Sequence, residues 1–279
     1  MTRRQDDRNM ELIHSLESWI RELKGSCSSF VLPQGNDRPE NIPVPEGTEC
    51  IITVGGDGTL VRTAYGTLGK NIPLLGVNMG HLGYLCDLDE TTVHDAVGRL
   101  IRDDYELEER MMLEGVKLDS NRTAKEMDYI SALNDVVIAS ANPTDLISLT
   151  VYINGASLYT YSCDGMIFST PTGSTAYNLS AGGPIVDPKN QVILLTPLNP
   201  HTLNSRPIVL DAHDEIMVKL SPRHHDVEEE ACVSFDGSLG FKIGREERIV
   251  IRRSKNVTRM AGLTRMNFLE RISLKLQER

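Results

Sequence analysis

Residues 50–68, CIITVGGDGTLVRTAYGTL, place a strand, a glycine turn and a helix in direct succession. The run at 50–54 is short and mostly apolar, as expected of a strand that is buried on both faces. The turn GGDGT at 55–59 follows at once, and a helix is predicted over 59–68. This order of elements predicts an α/β layer built on a parallel sheet.

The same alternation continues on both sides of this stretch. A second buried strand is predicted over residues 73–77, followed by a helix over 91–101. Apolar residues at helical spacing predict an amphipathic helix over 12–23. We therefore expect residues 1–104 to form an α/β domain with a Rossmann-like parallel sheet, which binds phosphate or nucleotide through its glycine turn.

The pattern changes near residue 105. Apolar residues alternate strictly at 147–153, and Asn154-Gly155 then gives a tight hairpin signal. Residues 105–258 are therefore expected to form a mainly β domain, and 259–279 a tail whose helix packs back on the body. Further short strands are predicted at 192–195, 208–210, 216–220 and 249–251, and the acidic run at 226–230 is interpreted as a solvated hairpin loop.

Composition excludes several classes of protein. The 279 residues carry a net charge of −10, which argues against a nucleic-acid partner because such binders need a basic surface. No apolar run is long enough for a transmembrane helix, and the N-terminal residues have no apolar core typical of a signal peptide. We therefore expect no membrane partner.

The five cysteines are scattered, without a CxxC pair, so the sequence predicts neither a disulfide framework nor a zinc site. This usage is typical of a reducing, cytoplasmic location. Cys163 lies close to a candidate motif, where it is either a small buried residue or a nucleophile. No histidine is placed as an obvious base for it, which favours the first interpretation.

The glycine turn is the first candidate site. Backbone N–H groups of Gly55, Gly56, Gly58 and Thr59 can approach phosphate oxygens there, at the N-terminus of the following helix. Asp57 repels phosphate, so its role is different. It acts either as a base or orienter for a hydroxyl that accepts a phosphoryl group, or simply as a helix cap.

A second candidate site is the segment at 164–177, which is dense in hydroxyls and glycine. Small hydroxyls can bond to ribose and amide groups, and the ring of Tyr177 can stack on a base. Composition alone is equally consistent with an ordinary loop.

Taken together, these segments resemble the NAD kinase family of bacterial type, over about residues 45–276. The 164–188 block is diagnostic, whereas GGDGT alone is shared with phosphofructokinases and lipid kinases. The matching segments are GGDGTL at 55–60, NMGHLGYL at 78–85, ALND at 132–135, DGMIFSTPTGSTAYNLSAGGPIVDP at 164–188, TPLNPHTLNSRPIVL at 196–210, VSFDG at 233–237 and NFLERISLKL at 267–276.

The resemblance implies transfer of a phosphoryl group from ATP, or in some members polyphosphate, to the 2′-hydroxyl of the adenosine ribose of NAD. The product is NADP, and Asp57 is the family's proton acceptor. A homotetramer or homodimer is also implied. The implied NAD-binding residues are Asp57, Gly58, Arg62, Asn134, Asp135, Asp164, Thr175, Ala176, Tyr177, Asn178, Leu179, Ser180 and Asn199.

Several of these positions have distinct implied roles. Asp164 matches the acid that binds the nicotinamide end, and Tyr177 the stacking residue. Asn199 matches a position that approaches the dinucleotide from a neighbouring subunit. Asn134-Asp135 falls on the family's Asn-Glu pair, with the acid one methylene shorter.

The sequence also departs from the family pattern. Ser162 lies where some members carry arginine, and Ser238 where many carry glutamine. The family opens with a β-strand before its first helix, whereas this chain begins almost at that helix. Either the sequence starts short of that strand or the strand has been lost, and a sheet without it is expected to expose an unpaired edge.

Three further residues have two interpretations each. His81, in a glycine-flanked turn, is a structural hydrogen-bonding residue or a catalyst. Tyr84 lines an adenine pocket or belongs to the core, and Arg206 contacts phosphate or pairs with an acid. No cluster has the spacing of a dedicated metal site, so Mg²⁺ is expected to arrive with the triphosphate.

Two other functions remain possible on the sequence alone. A lipid or sugar kinase would share the Asp57 loop but lack the 164–188 block. A non-enzymatic dinucleotide-binding protein would bind without turnover, and the retained Asp57 argues against it.

Overall fold

The structure is a computed structural model, and it describes residues 1–2, 7–33, 39, 42–80, 83–86, 88–118, 129–142, 145–202, 205–221, 229–263 and 266–277. The chain forms two compact units. The first comprises Met1–Glu109 and Val257–Arg279, and the second comprises Arg110–Asn256. The divisions fall inside two long strands, β4 (Glu106–Leu118) and β15 (Arg248–Gly262).

The first unit contains the strand, glycine turn and helix that the sequence predicts. Strand β1 pairs in parallel with β2, with Ile51 opposite Leu74 and Gly55 opposite Asn78. The far side of β2 pairs in parallel with β3 and, at Met260, with the end of β15. The elements are α1 (Asp7–Glu22), β1 (Ile51–Gly55), α2 (Asp57–Gly66), β2 (Leu74–Asn78), β3 (Leu88–Asp89), α3 (Val93–Ile101) and α5 (Phe268–Gln277).

The edge of β1 that faces away from β2 pairs with the start of the chain. Thr2 forms parallel bridges to Val54 and to Val31. The N–H of Val54 donates to the carbonyl of Met1 at 2.7 Å, and the N–H of Leu32 to that of Thr2 at 2.7 Å. The expected unpaired edge is therefore hydrogen-bonded at this point.

The second unit contains a six-stranded antiparallel sheet in the order β11-β10-β9-β6-β13-β14. In the same unit β12 pairs antiparallel with β7 and with the start of β15, and β7 pairs with β8. The strands not yet given are β5 (Ile130–Ala132), β6 (Asp135–Ser140), β7 (Ile147–Ile153), β8 (Ala156–Cys163), β9 (Gly165–Ser169), β10 (Val192–Leu198), β11 (Ile208–Asp211), β12 (Ile216–Leu220), β13 (Ala231–Phe235) and β14 (Ser238–Ile243).

The core of this unit forms where apolar side chains of the six-stranded sheet meet those of β7, β12 and β15. Ile138 and Phe168 of the six-stranded sheet belong to the same buried cluster as Leu149, Ile216 and Ile249 of the other strands. Each of these side chains is fully buried. The fold class predicted from the sequence, an α/β domain followed by a mainly β domain, is confirmed.

Local details agree with the predictions or refine them. Asn154 and Gly155 both have positive φ, +50° and +81°, as a tight type I′ hairpin between β7 and β8 requires. Strand β15 is far longer than the predicted run at 249–251. Most of the acidic run at 226–230, at residues 226–228, lies outside the described residues.

Two observations bear on the excluded classes. None of the described helices is long and apolar enough to cross a membrane. All five cysteines lie among the described residues, and each is a free thiol. Cys163 is fully buried, and burial raises the pKa of its thiol to about 11, which supports its interpretation as a filler residue rather than a nucleophile.

Candidate active site

The glycine turn of the first unit exposes backbone at the N-terminus of α2. Gly55 has φ +152°, and a Cβ there would lie 2.5 Å from the hydroxyl of Thr59, so this position needs glycine. Gly56 and Gly58 are exposed, and a Cβ at either would meet nothing within 4 Å. The turn therefore leaves open space beside a helix N-terminus, where an anion is favoured.

Asp57, the first residue of α2, is held by the backbone of a distant segment. Its Oδ2 accepts the N–H of Tyr84 at 2.8 Å, and its Oδ1 accepts those of Leu85 and Cys86, both at 3.2 Å. A Cβ on Gly83 would lie 2.1 Å from Oδ1, so the chain passes this carboxylate at a distance that only glycine allows. Asp57 is thus fixed in one orientation before any substrate binds.

The other candidate residues of the first unit are Arg62, Tyr84 and His81. Arg62 is half-buried on α2 and donates from Nη2 to the carbonyl of Pro33 at 2.9 Å. Tyr84 is half-buried, and its contact with Asp57 is made by its backbone. His81 lies outside the described residues.

In the second unit, the turn at Leu133 and Asn134 is clamped from two sides. Asp236 accepts the N–H groups of Leu133 at 2.8 Å, Asn134 at 2.7 Å and Asp135 at 3.2 Å. From the other side, the N–H of Thr170 donates to the Asn134 carbonyl at 2.9 Å, and its hydroxyl to the Leu133 carbonyl at 2.6 Å. Three sequence motifs therefore meet at this turn.

Glycine is again required at the point of closest approach. A Cβ on Gly173 would lie 2.1 Å from the carbonyl oxygen of Asn134. The N–H of Gly173 donates to the Thr170 hydroxyl at 3.0 Å, which completes the connection. The position of Asn134 is therefore set by backbone contacts, and its half-buried side chain is left available to a ligand.

Asp135 is a buried carboxyl group next to a second one. It is 5% exposed, and burial together with the charge of Asp236 raises its pKa to about 7. Its charge near neutral pH therefore depends on its surroundings, which a bound hydroxyl would alter.

The segment at 175–180 divides into outward and inward positions. It covers the end of a short 3₁₀ helix (Thr172–Thr175) and α4 (Tyr177–Ser180). Tyr177 is 49% exposed, so it is not a core residue and its ring is accessible for stacking. Asn178 is fully buried, and its side chain bonds to the carbonyls of Ser174 and Pro184 and to the hydroxyl of Thr196.

The remaining members of this segment lie between these extremes. Thr175, Ala176 and Leu179 are partly exposed, and Ser180 is exposed. The side chains of these four residues are at least partly accessible, whereas the side chain of Asn178 is hydrogen-bonded within the protein.

Asp164 and Asn199 are brought together by the pairing of β9 with β10. Both are exposed, and the Asn199 amide donates to Asp164 Oδ2 at 2.8 Å. Arg206 is also exposed and donates to the carbonyl of Ser205 at 2.9 Å. Within one chain, therefore, Asn199 acts as a partner of Asp164.

Asp236 is a functional candidate that the sequence motifs did not indicate, although it lies in the VSFDG segment. Asp236 and Gly237 both have positive φ, +49° and +75°, and form the turn between β13 and β14. An Asp-Gly pair between two apolar runs predicts that hairpin. Nothing local to the pair predicts that its carboxylate organises a turn about 100 residues earlier in the chain.

No group of three or more possible metal ligands occurs among the residues that the structure describes. An oriented carboxylate beside an open glycine turn at a helix N-terminus fits the class of phosphotransferases that act on nucleotides.

Comparisons with known proteins specify the family. Residues 36–105 match the ATP-NAD kinase N-terminal domain and 133–263 the ATP-NAD kinase C-terminal domain. An NAD kinase of Agathobacter rectalis is 42% identical over 97% of this chain and 94% of its own length. An NAD kinase of Thermoanaerobacter pseudethanolicus is 34% identical over 98% and 96%. The chain belongs to the NAD kinase family.

Two solved structures share the fold. A yeast NADH kinase in complex with NADH superposes with a TM-score of 0.82 at 23% identity, over 100% of this chain and 87% of that chain. An NAD kinase from Archaeoglobus fulgidus in complex with ATP gives a TM-score of 0.73 at 23% identity, over 93% and 91%.

The raised pKa of Asp135 predicts a pH-dependent stability. Between about pH 4 and pH 7 the native state keeps a proton that the unfolded chain has released, so this group's contribution to stability is lost as the pH rises. Asp135→Asn should therefore gain stability relative to wild type from pH 5 to pH 8, by on the order of 3 kcal/mol. Urea unfolding at both pH values measures this.

The control is Asp187→Asn, which neutralises a partly exposed carboxylate in a turn of the same unit. This variant should follow the wild-type pH trend. If Asp135→Asn also follows it, then Asp135 is ionised in the native state across this range and the interpretation is wrong.

Proposed function

We propose that this chain transfers the terminal phosphoryl group of ATP to the 2′-hydroxyl of the adenosine ribose of NAD, and so produces NADP in the cytoplasm. The observation that carries the proposal is the orientation of Asp57 by three backbone N–H groups beside the open turn at Gly56 and Gly58. A carboxylate held in this way can receive a hydroxyl proton without reorganising.

The remaining roles are proposed from the family resemblance. Asn134 and Asp135 bind ribose hydroxyls, Tyr177 stacks on a base, and Asp164 binds the nicotinamide end. The N–H groups of the glycine turn face phosphate oxygens. The ligands of the two solved relatives, NADH and ATP, support a dinucleotide acceptor and a triphosphate donor.

The phosphoryl donor brings the metal. Phosphoryl transfer develops negative charge, and a divalent ion held by phosphate oxygens and water neutralises it. The turn of the first unit contributes one carboxylate, Asp57, which can contact that ion through water. We propose Mg²⁺ as this ion, carried by ATP.

We also propose that the chain acts as a homodimer or homotetramer, on the strength of the family resemblance at Asn199. The lipid or sugar kinase alternative is disfavoured because the C-terminal NAD kinase domain match covers the whole of residues 164–188. A binding protein without activity is the alternative that turnover excludes.

The decisive experiment is a coupled assay for NADP with ATP, Mg²⁺ and NAD, repeated with polyphosphate. Wild type should form NADP, and Asp57→Asn should lower kcat by about 10²–10⁴-fold with little change in NAD affinity, because the amide cannot accept the proton. An Asp57→Asn variant with more than a tenth of wild-type kcat would contradict the assignment of Asp57 as the base.

Asp89→Asn is the matched control for this variant. The Asp89 carboxylate also accepts backbone N–H groups in the first unit, those of Thr91 and Thr92, both at 2.9 Å. Its kcat should equal that of wild type. A comparable loss in both variants would show that the effect of Asp57→Asn is a general loss of turn structure.

Tyr177→Ala should raise KM for NAD by about 5- to 150-fold with little change in kcat, since stacking on a base is worth roughly 1–3 kcal/mol. Tyr159→Ala is the control, because Tyr159 is exposed to the same degree in the same unit, 50% against 49%. Equal KM values for Tyr177→Ala and wild type would exclude the stacking role.

Removal of divalent metal should abolish turnover and leave NAD binding unchanged. Calorimetric titration of NAD with and without EDTA measures NAD binding, and the coupled assay in the same buffers measures turnover. Turnover that survives EDTA contradicts a donor-borne metal. NAD affinity that collapses in EDTA would instead indicate a metal held by the protein.

A further inference from the structure

The C-terminal helix α5 packs through a charged side chain. Arg271 is 9% exposed, whereas Leu269, Leu274 and Leu276 of the same helix are 44–73% exposed. A buried guanidinium is costly unless it is hydrogen-bonded, so a helix that buries arginine and exposes leucine has a specific use for that arginine.

Arg271 is hydrogen-bonded to the backbone carbonyl of Tyr84. Nη1 of Arg271 donates to this oxygen at 2.9 Å. The same peptide group carries the N–H of Leu85, which donates to Oδ1 of Asp57 at 3.2 Å. One peptide group therefore joins a guanidinium on one side to the candidate catalytic carboxylate on the other.

The two hydrogen bonds reinforce each other. A cation at the carbonyl polarises the peptide group and makes its N–H a stronger donor, so each bond strengthens the other. The planar guanidinium also fixes the direction of the carbonyl, and with it the direction of the N–H. The flanking N–H groups of Tyr84 and Cys86 are then aligned on the same carboxylate.

The position of Arg271 is itself fixed by the start of α5. The N–H of Asn267 donates to Oε2 of Glu270 and the N–H of Glu270 to Oδ1 of Asn267, both at 2.9 Å. This reciprocal pair is a capping box, which sets the first turn of a helix. The N–H of Arg271 closes that turn on the Asn267 carbonyl at 3.1 Å.

We propose that Arg271 is a positioning residue for Asp57, which it orients through the peptide group between Tyr84 and Leu85. This inference rests on the proposed function, because it assigns Arg271 an effect on the chemical step. In this proposal Arg271 acts through the backbone rather than by contact with the substrate. Its contribution is the alignment of the group that receives the hydroxyl proton.

The test is Arg271→Met, which keeps an apolar stem and removes the guanidinium. We expect kcat to fall by about tenfold or more, since misplacement of a reacting group is expensive, while KM for NAD and its calorimetric affinity stay within about twofold. A purely structural arginine would instead lower thermal stability with kcat per folded molecule unchanged.

Arg99→Met is the matched control. Arg99 also donates a guanidinium N–H to a backbone carbonyl of the first unit, that of Leu263, and pairs with Asp104 at 2.9 Å. Neither of these contacts involves the described residues 83–86. Loss of Arg99 should therefore affect stability and leave kcat as in wild type.

A double-mutant cycle gives the sharpest discrimination. If Arg271 acts through Asp57, then Arg271→Met should cost little in a chain that already carries Asp57→Asn. If the fold losses in kcat of the two single variants multiply in the double variant, the proposal is overturned. A kcat of Arg271→Met within about twofold of wild type also overturns it.

A second variant covers failure to fold. Arg271→Lys keeps the charge without the planar fork, and its kcat should fall about threefold or more with NAD affinity unchanged. Wild-type kcat in this variant overturns the proposal when Arg271→Met cannot be purified. A wild-type chain that binds NAD and forms no NADP refutes the proposed function itself, which is a separate result.

Discussion

The candidate segment of each unit depends on the same kind of interaction, a carboxylate that accepts the N–H groups of three consecutive residues. Asp57 collects those of Tyr84, Leu85 and Cys86 in the first unit, and Asp236 those of Leu133, Asn134 and Asp135 in the second. Consecutive N–H groups converge on one point only when the chain bends sharply. Each carboxylate therefore stabilises a bend that local sequence preferences alone do not specify.

The two bends put the carboxylates to different uses. Asp57 is both the acceptor that orders residues 84–86 and the candidate base, so the same contacts that shape the chain also orient the reactive group. Asp236 orders a turn whose functional side chain is that of its neighbour Asn134. The second arrangement has a cost, because Asp135 becomes a buried acid beside another acid.

The sequence predicted the parts of the fold that local patterns determine. The run at 50–54 with its glycine turn, and the strict alternation before Asn154-Gly155, each specify their own element because side-chain period and backbone freedom act over a few residues. The length of β15 was not predictable in this way. Its 15 residues are partly buried and partly exposed according to partners far away in the chain.

The candidate site shows the same division more clearly. Family motifs identified Asp57 and Asn134 by position, whereas the contacts that hold them come from residues 27 and 102 positions away. Asn178 illustrates the converse, since a motif position proved to be an internal hydrogen-bonding residue. A motif identifies positions, but it does not indicate whether a side chain faces a ligand or is hydrogen-bonded inside the protein.

The glycines of the site differ in what requires them. Gly83 and Gly173 are small because protein atoms leave no room for a methyl group, whereas Gly56 and Gly58 face empty space and have ordinary backbone angles. Glycine near a helix start costs conformational entropy, and the protein's own packing gives nothing in return at these two positions. Under the proposed function, their small size leaves room for the phosphate groups of a ligand, and alanine there is a probe of ligand shape rather than of folding.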